Sequence, residues 1–261
     1  MGTLKLCLDA GHFAKCNGNI AVSPVYWESL MAWDLHLMLI EELGKYDGVT
    51  IKTTRQDQTK DLPVYTRGQL AKGCDLFISL HSNACESESV DRPVVIYPVS
   101  GKCKALAQTF ADKIRAVMQT NDRAQIYQRW NSAHNADYYG VIRGAASVGV
   151  PGLILEHSFH TNNRAASWLN NKANLRKLAV AEAQVLAAAY GLKAKQTKPT
   201  KPTNPFVDVK EGKFYYDSVL WAVENGIANG VDATHFKPDA NMTRGQAVTM
   251  LHRFAEYMGK G

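Results

Sequence analysis

Three apolar runs mark the first 160 residues, and each ends in a group suited to metal or acid–base chemistry. Leu4 to His12, LKLCLDAGH, alternates apolar and polar positions and then delivers a histidine into a loop. That is the pattern of a buried strand with chemistry at its carboxyl end. Asp75 to Asn83, DLFISLHSN, repeats it, with His81 placed just past the strand, and Leu153 to Glu156, LILE, ends in a carboxylate. In an open α/β sheet, ligands occupy the crevice outside the carboxyl ends of the strands, so the three runs point to one shared site.

Between these runs the period becomes helical. Phe13 to Val25, rich in Asn, Gly, Ser and Pro, reads as a loop. Tyr26 to Leu43 predicts a long helix with an apolar stripe of Leu30, Met31, Trp33, Leu35, Leu37, Met38 and Ile40. Glu28 falls in its first turn, where the helix dipole favours an anion, and Gly44 caps it. Further expected elements are a strand over Val49 to Thr54, a helix from Pro63 to Lys72, a strand over Pro93 to Tyr97 and a helix from Lys102 to Met118. Gln119 to Tyr139 reads as a polar loop whose Tyr127, Trp130, Tyr138 and Tyr139 either line a groove or pack locally. Gly152 to Glu156 is the last strand, and Asn174 to Tyr190 the last helix of this part. Strands alternating with helices predict an α/β fold, a largely parallel sheet flanked by helices.

Residues 1–192 form that domain. Lys193 to Pro205, KAKQTKPTKPTNP, has no large apolar residue and three prolines, the composition of a semi-extended linker. Residues 206–261 predict a small C-terminal helical domain with helices over Tyr216 to Asn225 and Thr243 to Tyr257. Thr243 and Gln246 match the capping box T-x-x-Q.

At 261 residues and 46% hydrophobic, the chain can bury one sizeable core plus a small unit. No apolar run approaches the roughly 20 residues of a membrane helix, which excludes membrane insertion. Five cysteines without a CxxC pair argue against a disulfide framework. The net charge of +6 divides into +3 over residues 1–192, +4 in the linker and −1 over residues 206–261. No folded face carries the excess, so a nucleic-acid partner is not expected, whereas attraction to a polyanionic cell wall is. The start of the chain lacks the pattern of a secretory signal, so the expectation is synthesis in the cytoplasm without a signal peptide.

His12, Glu28 and His81 make up a His₂Glu set, which in catalytic zinc sites leaves one coordination position open. Zinc polarises a carbonyl and acidifies water, and amide hydrolysis also needs a group to carry a proton to the leaving nitrogen, for which Glu156 is the candidate. An unpaired buried carboxylate is costly, so a Glu in an apolar strand needs a partner. The bland alternatives are histidines bonded to loop backbone and a Glu28 that only complements the helix dipole. A closed His₂Cys₂ structural site from His12, Cys16, His81 and Cys85 is a second alternative, although it leaves both glutamates unexplained. His36 reads as structural, and His157 and His160 have no evident role.

Residues 4–190 resemble the zinc-dependent N-acetylmuramoyl-L-alanine amidases of the amidase type 3 family, found in bacterial autolysins and phage endolysins. The matching pieces are LDAGH, WESLMAWDLHLMLIEEL, VTIKTTRQDQ, PVYTRGQLA, DLFISLHSNA and GLILEHSFHTN, in the family's order. The resemblance implies that His12, Glu28 and His81 bind one Zn²⁺ and that Glu156 is the catalytic acid–base. It implies peptidoglycan as substrate, cut between N-acetylmuramic acid and L-alanine. Phe13 stands where the family commonly has glycine, and Glu156-His157-Ser158-Phe159 replaces its E-x-G-F. Arg55 and Arg67 match family positions, with a structural role expected in orienting loops or pairing with aspartates such as Asp57.

Residues 206–261 resemble a single S-layer homology repeat, carried by FVDV, WAVENGIANG and HFKPDANMTRGQAVTML. That implies an anionic secondary cell-wall polymer as a partner, and the marginal size of a lone repeat leaves two expectations, weak binding or self-association into a homo-oligomer. Asn83, Arg143 and Arg244 are the candidates for substrate or polymer contact. Together these readings predict a phage or prophage endolysin that acts on the bacterial wall after release from the cytoplasm, a sporulation enzyme giving the same signature. The rivals are another zinc amidohydrolase or peptidase and a non-catalytic wall-binding protein.

Overall fold

The computed structural model describes residues 2–58, 60–195 and 204–258. The chain divides into two units, Met1–Lys195 and Gln196–Gly261. The first runs β1 (Leu4–Ala10), β2 (Gly18–Asn19), β3 (Tyr26–Trp27), α1 (Glu28–Leu43), β4 (Val49–Thr53), α2 (Val64–Gln69), β5 (Leu76–Asn83), β6 (Val94–Ile96), α3 (Lys104–Met118), β7 (Gln125–Tyr127), α4 (Gly140–Ser147), β8 (Gly152–Phe159), α5 (Asn163–Leu169) and α6 (Lys172–Tyr190). The second contains α7 (Tyr216–Glu224) and α8 (Arg244–Met258).

Six strands form one sheet in the order β4-β1-β5-β8-β6-β7. β4, β1, β5 and β8 run parallel, while β6 lies antiparallel to β8 and parallel to β7. The sheet is therefore largely parallel and flanked by helices, the expected α/β architecture. Alternation along the strands separates two cores. Leu6 and Leu8, Ile78 and Leu80, and Leu153 and Leu155 face one side, with Leu35, Phe110 and Leu178 of α1, α3 and α6. Cys7, Phe77, Ile96 and Ile154 face the other, with Val141, Ile142 and Ala145 of α4.

Several boundaries differ from the sequence reading, each for a local reason. Within Phe13 to Val25 the chain forms β2, which pairs Asn19 with Tyr26 and takes Tyr26 and Trp27 out of the helix. α1 starts at Glu28, whose N–H donates to the Asn17 carbonyl. β5 continues to Asn83, so His81 lies within the strand rather than past it. β7 sits inside the polar stretch 119–139, three residues paired with β6 and too short to show a period. α4 carries Gly140 and Gly144, which depress helix propensity, and α5 depends on the Asn162 side chain accepting from the Ala165 N–H. Lys193 and Lys195 hydrogen-bond to Asp47 and Lys45 in the turn after α1, so the first unit extends to Lys195. Residues 196–203 of the expected linker lie outside the described residues.

In the second unit Phe206, Val209, Tyr216, Val219 and Leu220 form a small core. The capping box of α8 forms: the Thr243 N–H donates to Gln246 Oε1 (2.8 Å) and the Gln246 N–H to Thr243 Oγ1 (3.2 Å).

Candidate metal and catalytic site

β1, β5 and β8 lie side by side, so their carboxyl ends share one edge. His12 follows β1 with φ 57°, a left-handed conformation uncommon outside glycine. A Cβ on Gly11 would stand 2.4 Å from the His81 ring, so only glycine lets the β1 loop lie against that ring. Glu28 reaches the edge from the first turn of α1. Glu156 pairs in register with His81 across β5 and β8, which puts both side chains on one face of the sheet.

The ligand atoms of His12, Glu28 and His81 all lie within 4.8 Å of one another. Glu28 Oε1 is 3.3 Å from His12 Nε2 and 2.9 Å from His81 Nδ1. The two imidazoles meet edge to face with centroids 4.9 Å apart. Glu28 is buried and also accepts from the Ser82 N–H (3.0 Å) and Asn17 Nδ2 (2.8 Å). The other nitrogen of His81, Nε2, lies 2.9 Å from Ser79 Oγ, which donates to Asp9 Oδ2 (2.6 Å). Metal-binding histidines characteristically have such an outer shell fixing ring orientation. Two imidazoles, one carboxylate and an outer shell in this arrangement fit a divalent cation.

Electrostatics supports the same reading. Burial disfavours charge on Glu28, but hydrogen bonds with His12 and His81 outweigh it and hold the carboxyl well below the ordinary range. Burial also disfavours charge on His81, yet Glu28 and Glu156 raise its imidazole to about 9. Glu156 is the converse case. Burial pushes its carboxyl up to about 7, against the pull of His81 and with the push of Glu28, and its buried Oε2 has no hydrogen-bond partner. A half-buried carboxyl with a free oxygen and a near-neutral pKa is suited to taking up and giving back a proton.

The other candidates sit differently. Asn83 ends β5 and gives its carbonyl to the His160 N–H and its Oδ1 to the Ala84 N–H. Arg143 donates to the Asp137 and Tyr138 carbonyls, which holds the aromatic loop in place. Arg244 opens α8 and is exposed. Cys16 Sγ lies 3.8 Å from His12 Nδ1, but Cys85 Sγ donates to the Ser87 carbonyl and neither thiol joins the cluster, so the His₂Cys₂ alternative is not formed among the described residues. Arg55 and Arg67 orient loops. Arg55 donates to the Ala10 carbonyl and lies over the rings of Phe13 and Trp33. Arg67 pairs with Asp9 and Asp61 and donates to the carbonyls of Ala10 and His12.

The sequence alone does not mark Asp9, Asn17, Ser79, Ser82 and His160 as parts of this site. Asp9 carried the clearest signal, a carboxylate within an apolar strand, which must be partnered if buried. His160 Nδ1 lies 3.0 Å from Ser82 Oγ and 4.0 Å from Glu28 Oε2, so it backs the acidic ligand.

Residues 6–188 match the family described as N-acetylmuramoyl-L-alanine amidase, and residues 205–248 match the S-layer homology domain. The chain is 27% identical over 193 residues to the N-acetylmuramoyl-L-alanine amidase CwlM of Bacillus licheniformis, covering 72% of this chain and 70% of that protein. It is 45% identical over 56 residues to the surface-layer 125 kDa protein of Lysinibacillus sphaericus, covering 22% of this chain but only 5% of that protein's length. The catalytic domain of the amidase CwlV from Bacillus (Paenibacillus) polymyxa var. colistinus is similar in fold, with a TM-score of 0.62 at 21% identity over 73% of this chain and all of that domain. With its sheet order, its site edge and a family match over most of its length in agreement, the chain belongs to the N-acetylmuramoyl-L-alanine amidase family.

Proposed function

We propose that the first unit hydrolyses the amide between N-acetylmuramic acid and the L-alanine of the peptidoglycan stem peptide, with one zinc ion held by His12, Glu28 and His81. The observation that carries this reading is the in-register pairing of His81 with Glu156, whose unpartnered oxygen shares a face with the ligand cluster. When bound, zinc supplies Lewis-acid polarisation of the scissile carbonyl and acidifies water. Glu156 accepts a proton from the attacking water at Oε2 and returns it to the leaving nitrogen. Glu28, anchored by the Ser82 N–H, and His81, anchored through Ser79 and Asp9, keep the donors in place without reorganisation.

The second unit holds the enzyme on the wall. The S-layer homology match and the exposed Arg244 at the start of α8 support binding of an anionic wall polymer there. Asn83 and Arg143 are the contacts assigned to substrate in the first unit. A lone repeat of this size gains from self-association, and light scattering of the full chain at high concentration tests it: a strict monomer excludes it. In this reading the protein is a phage or prophage endolysin, made in the cytoplasm and acting on the wall after release. Digestion of purified peptidoglycan is the deciding assay. New L-alanine amino termini without new reducing sugar support the amidase, and cleavage elsewhere in the peptide supports a different zinc peptidase.

A further inference from the structure

Immediately behind the ligand cluster lies a buried polar pair that the proposed chemistry does not use. His157 follows Glu156 on β8 and points to the opposite face of the sheet, where Glu182 of α6 meets it. His157 Nε2 lies 2.7 Å from Glu182 Oε1, and both side chains have no exposed surface. His157 Nδ1 lies 2.8 Å from the carbonyl oxygen of His81. That carbonyl belongs to the residue at which the β5–β8 register shifts, between His81 and Asn83. A bulge of this kind disrupts the ladder and re-aims a side chain, and it leaves backbone groups to be satisfied by other means.

We infer that His157 is a positioning residue: its Nδ1–H clamps the His81 carbonyl at the β5 bulge and so aims the His81 imidazole at the metal, while Glu182 holds the His157 ring in place. The inference rests on the metal site proposed above. Three observations support it. The clamped carbonyl belongs to a ligand residue. A fully buried His–Glu pair adds little stability over a well-packed apolar pair, so its presence calls for a role other than holding α6 to the sheet. A carbonyl oxygen can only accept, so the 2.8 Å contact with the His81 carbonyl makes Nδ1 the donor and fixes the direction of the clamp.

Two substitutions separate the clamp from the packing. In His157→Asn the side-chain N–H takes the place of Nδ1 and keeps the bond to the His81 carbonyl, but strands Glu182. In His157→Gln it takes the place of Nε2 and keeps Glu182, but loses the clamp. The experiment uses the full chain and measures melting temperature without metal, Co²⁺ and Zn²⁺ affinity by titration, the Co²⁺ visible spectrum, and kcat and KM. The expected result has opposite orders. H157N melts lower than H157Q yet binds metal within about threefold of the parent with the parental spectrum. H157Q loses about tenfold or more in metal affinity and kcat, with KM little changed. A purely structural pair gives the same order for stability and metal affinity, and that result, or parental metal binding in H157Q, overturns the inference. If the parent itself binds metal but cuts no peptidoglycan, the amidase reading fails while the clamp is still judged on affinity and spectrum. If the parent binds no metal, both fail.

Discussion

In the proposed mechanism Glu156 is useful because it is poorly solvated. Its environment keeps the carboxyl near neutrality and leaves Oε2 without a partner, where an ordinary buried carboxylate would be paired. Glu156→Gln preserves shape and packing but cannot carry a proton, so amide hydrolysis falls roughly 10²–10⁴-fold while metal content and wall binding stay at parental levels. Metal analysis beside a turnover assay checks this, and an active variant refutes it. His36 provides a test at the same scale. It is buried in α1 with neither ring nitrogen hydrogen-bonded, and burial lowers its pKa from 6.5 to about 4, against the pull of Asp9 and with the push of Arg55. The unfolded chain therefore takes up a proton below pH 6.5 that the folded chain refuses. Its contribution falls as pH drops from about 6.5 towards 4, by on the order of 3 kcal/mol. His36→Leu, compared with the parent by denaturant unfolding across that range, should lose this part of the pH dependence. An unchanged slope would show that His36 does not titrate between the two states.

Among elements, the long ones were legible and the short ones were not. β1, α1, α3 and α6 carry enough apolar positions for a period to emerge, and β1 and β8 were placed by runs such as LKLCL and LILE. The β2–β3 hairpin and β7 offer two or three residues each, so tertiary pairing alone defines them. The site divides the same way. His12, Glu28, His81 and Glu156 stood out as chemistry at strand and helix ends. Ser79, Ser82 and Asn17 are ordinary residues that matter only through what the fold brings near them. Two glycines show how closely the elements depend on one another. Gly11→Ala drives a methyl group into the His81 ring, so metal affinity should fall roughly 10–100-fold with little change in melting temperature. Gly144→Ala instead places a methyl 2.1 Å from the Tyr65 carbonyl where α4 crosses α2, which carries Arg67 against Asp9. That variant should melt several degrees lower, as expected for an overpacked helix contact. Equal melting of the two variants would contradict this division between site and scaffold.

For the whole molecule, the proposed function divides the work of the two units between chemistry and attachment. Each has its own buried core. A chain ending at Lys195 should cut soluble muropeptides at a rate within about twofold of the full protein, yet lose much of its retention on wall fragments, because tethering raises local concentration without touching the chemistry. Pull-down with purified walls beside a soluble-substrate assay measures both, and loss of soluble activity would show that the second unit takes part in catalysis. In the proposed function, two imidazoles and two carboxylates, assembled at one sheet edge, form a metal-dependent amidase. The most direct measurement is the count of new L-alanine amino termini released from purified peptidoglycan by the chelated protein before and after zinc is restored. None is expected before and a steady rise after, abolished by Glu156→Gln. Release by the metal-free protein, or undiminished release by that variant, would contradict it.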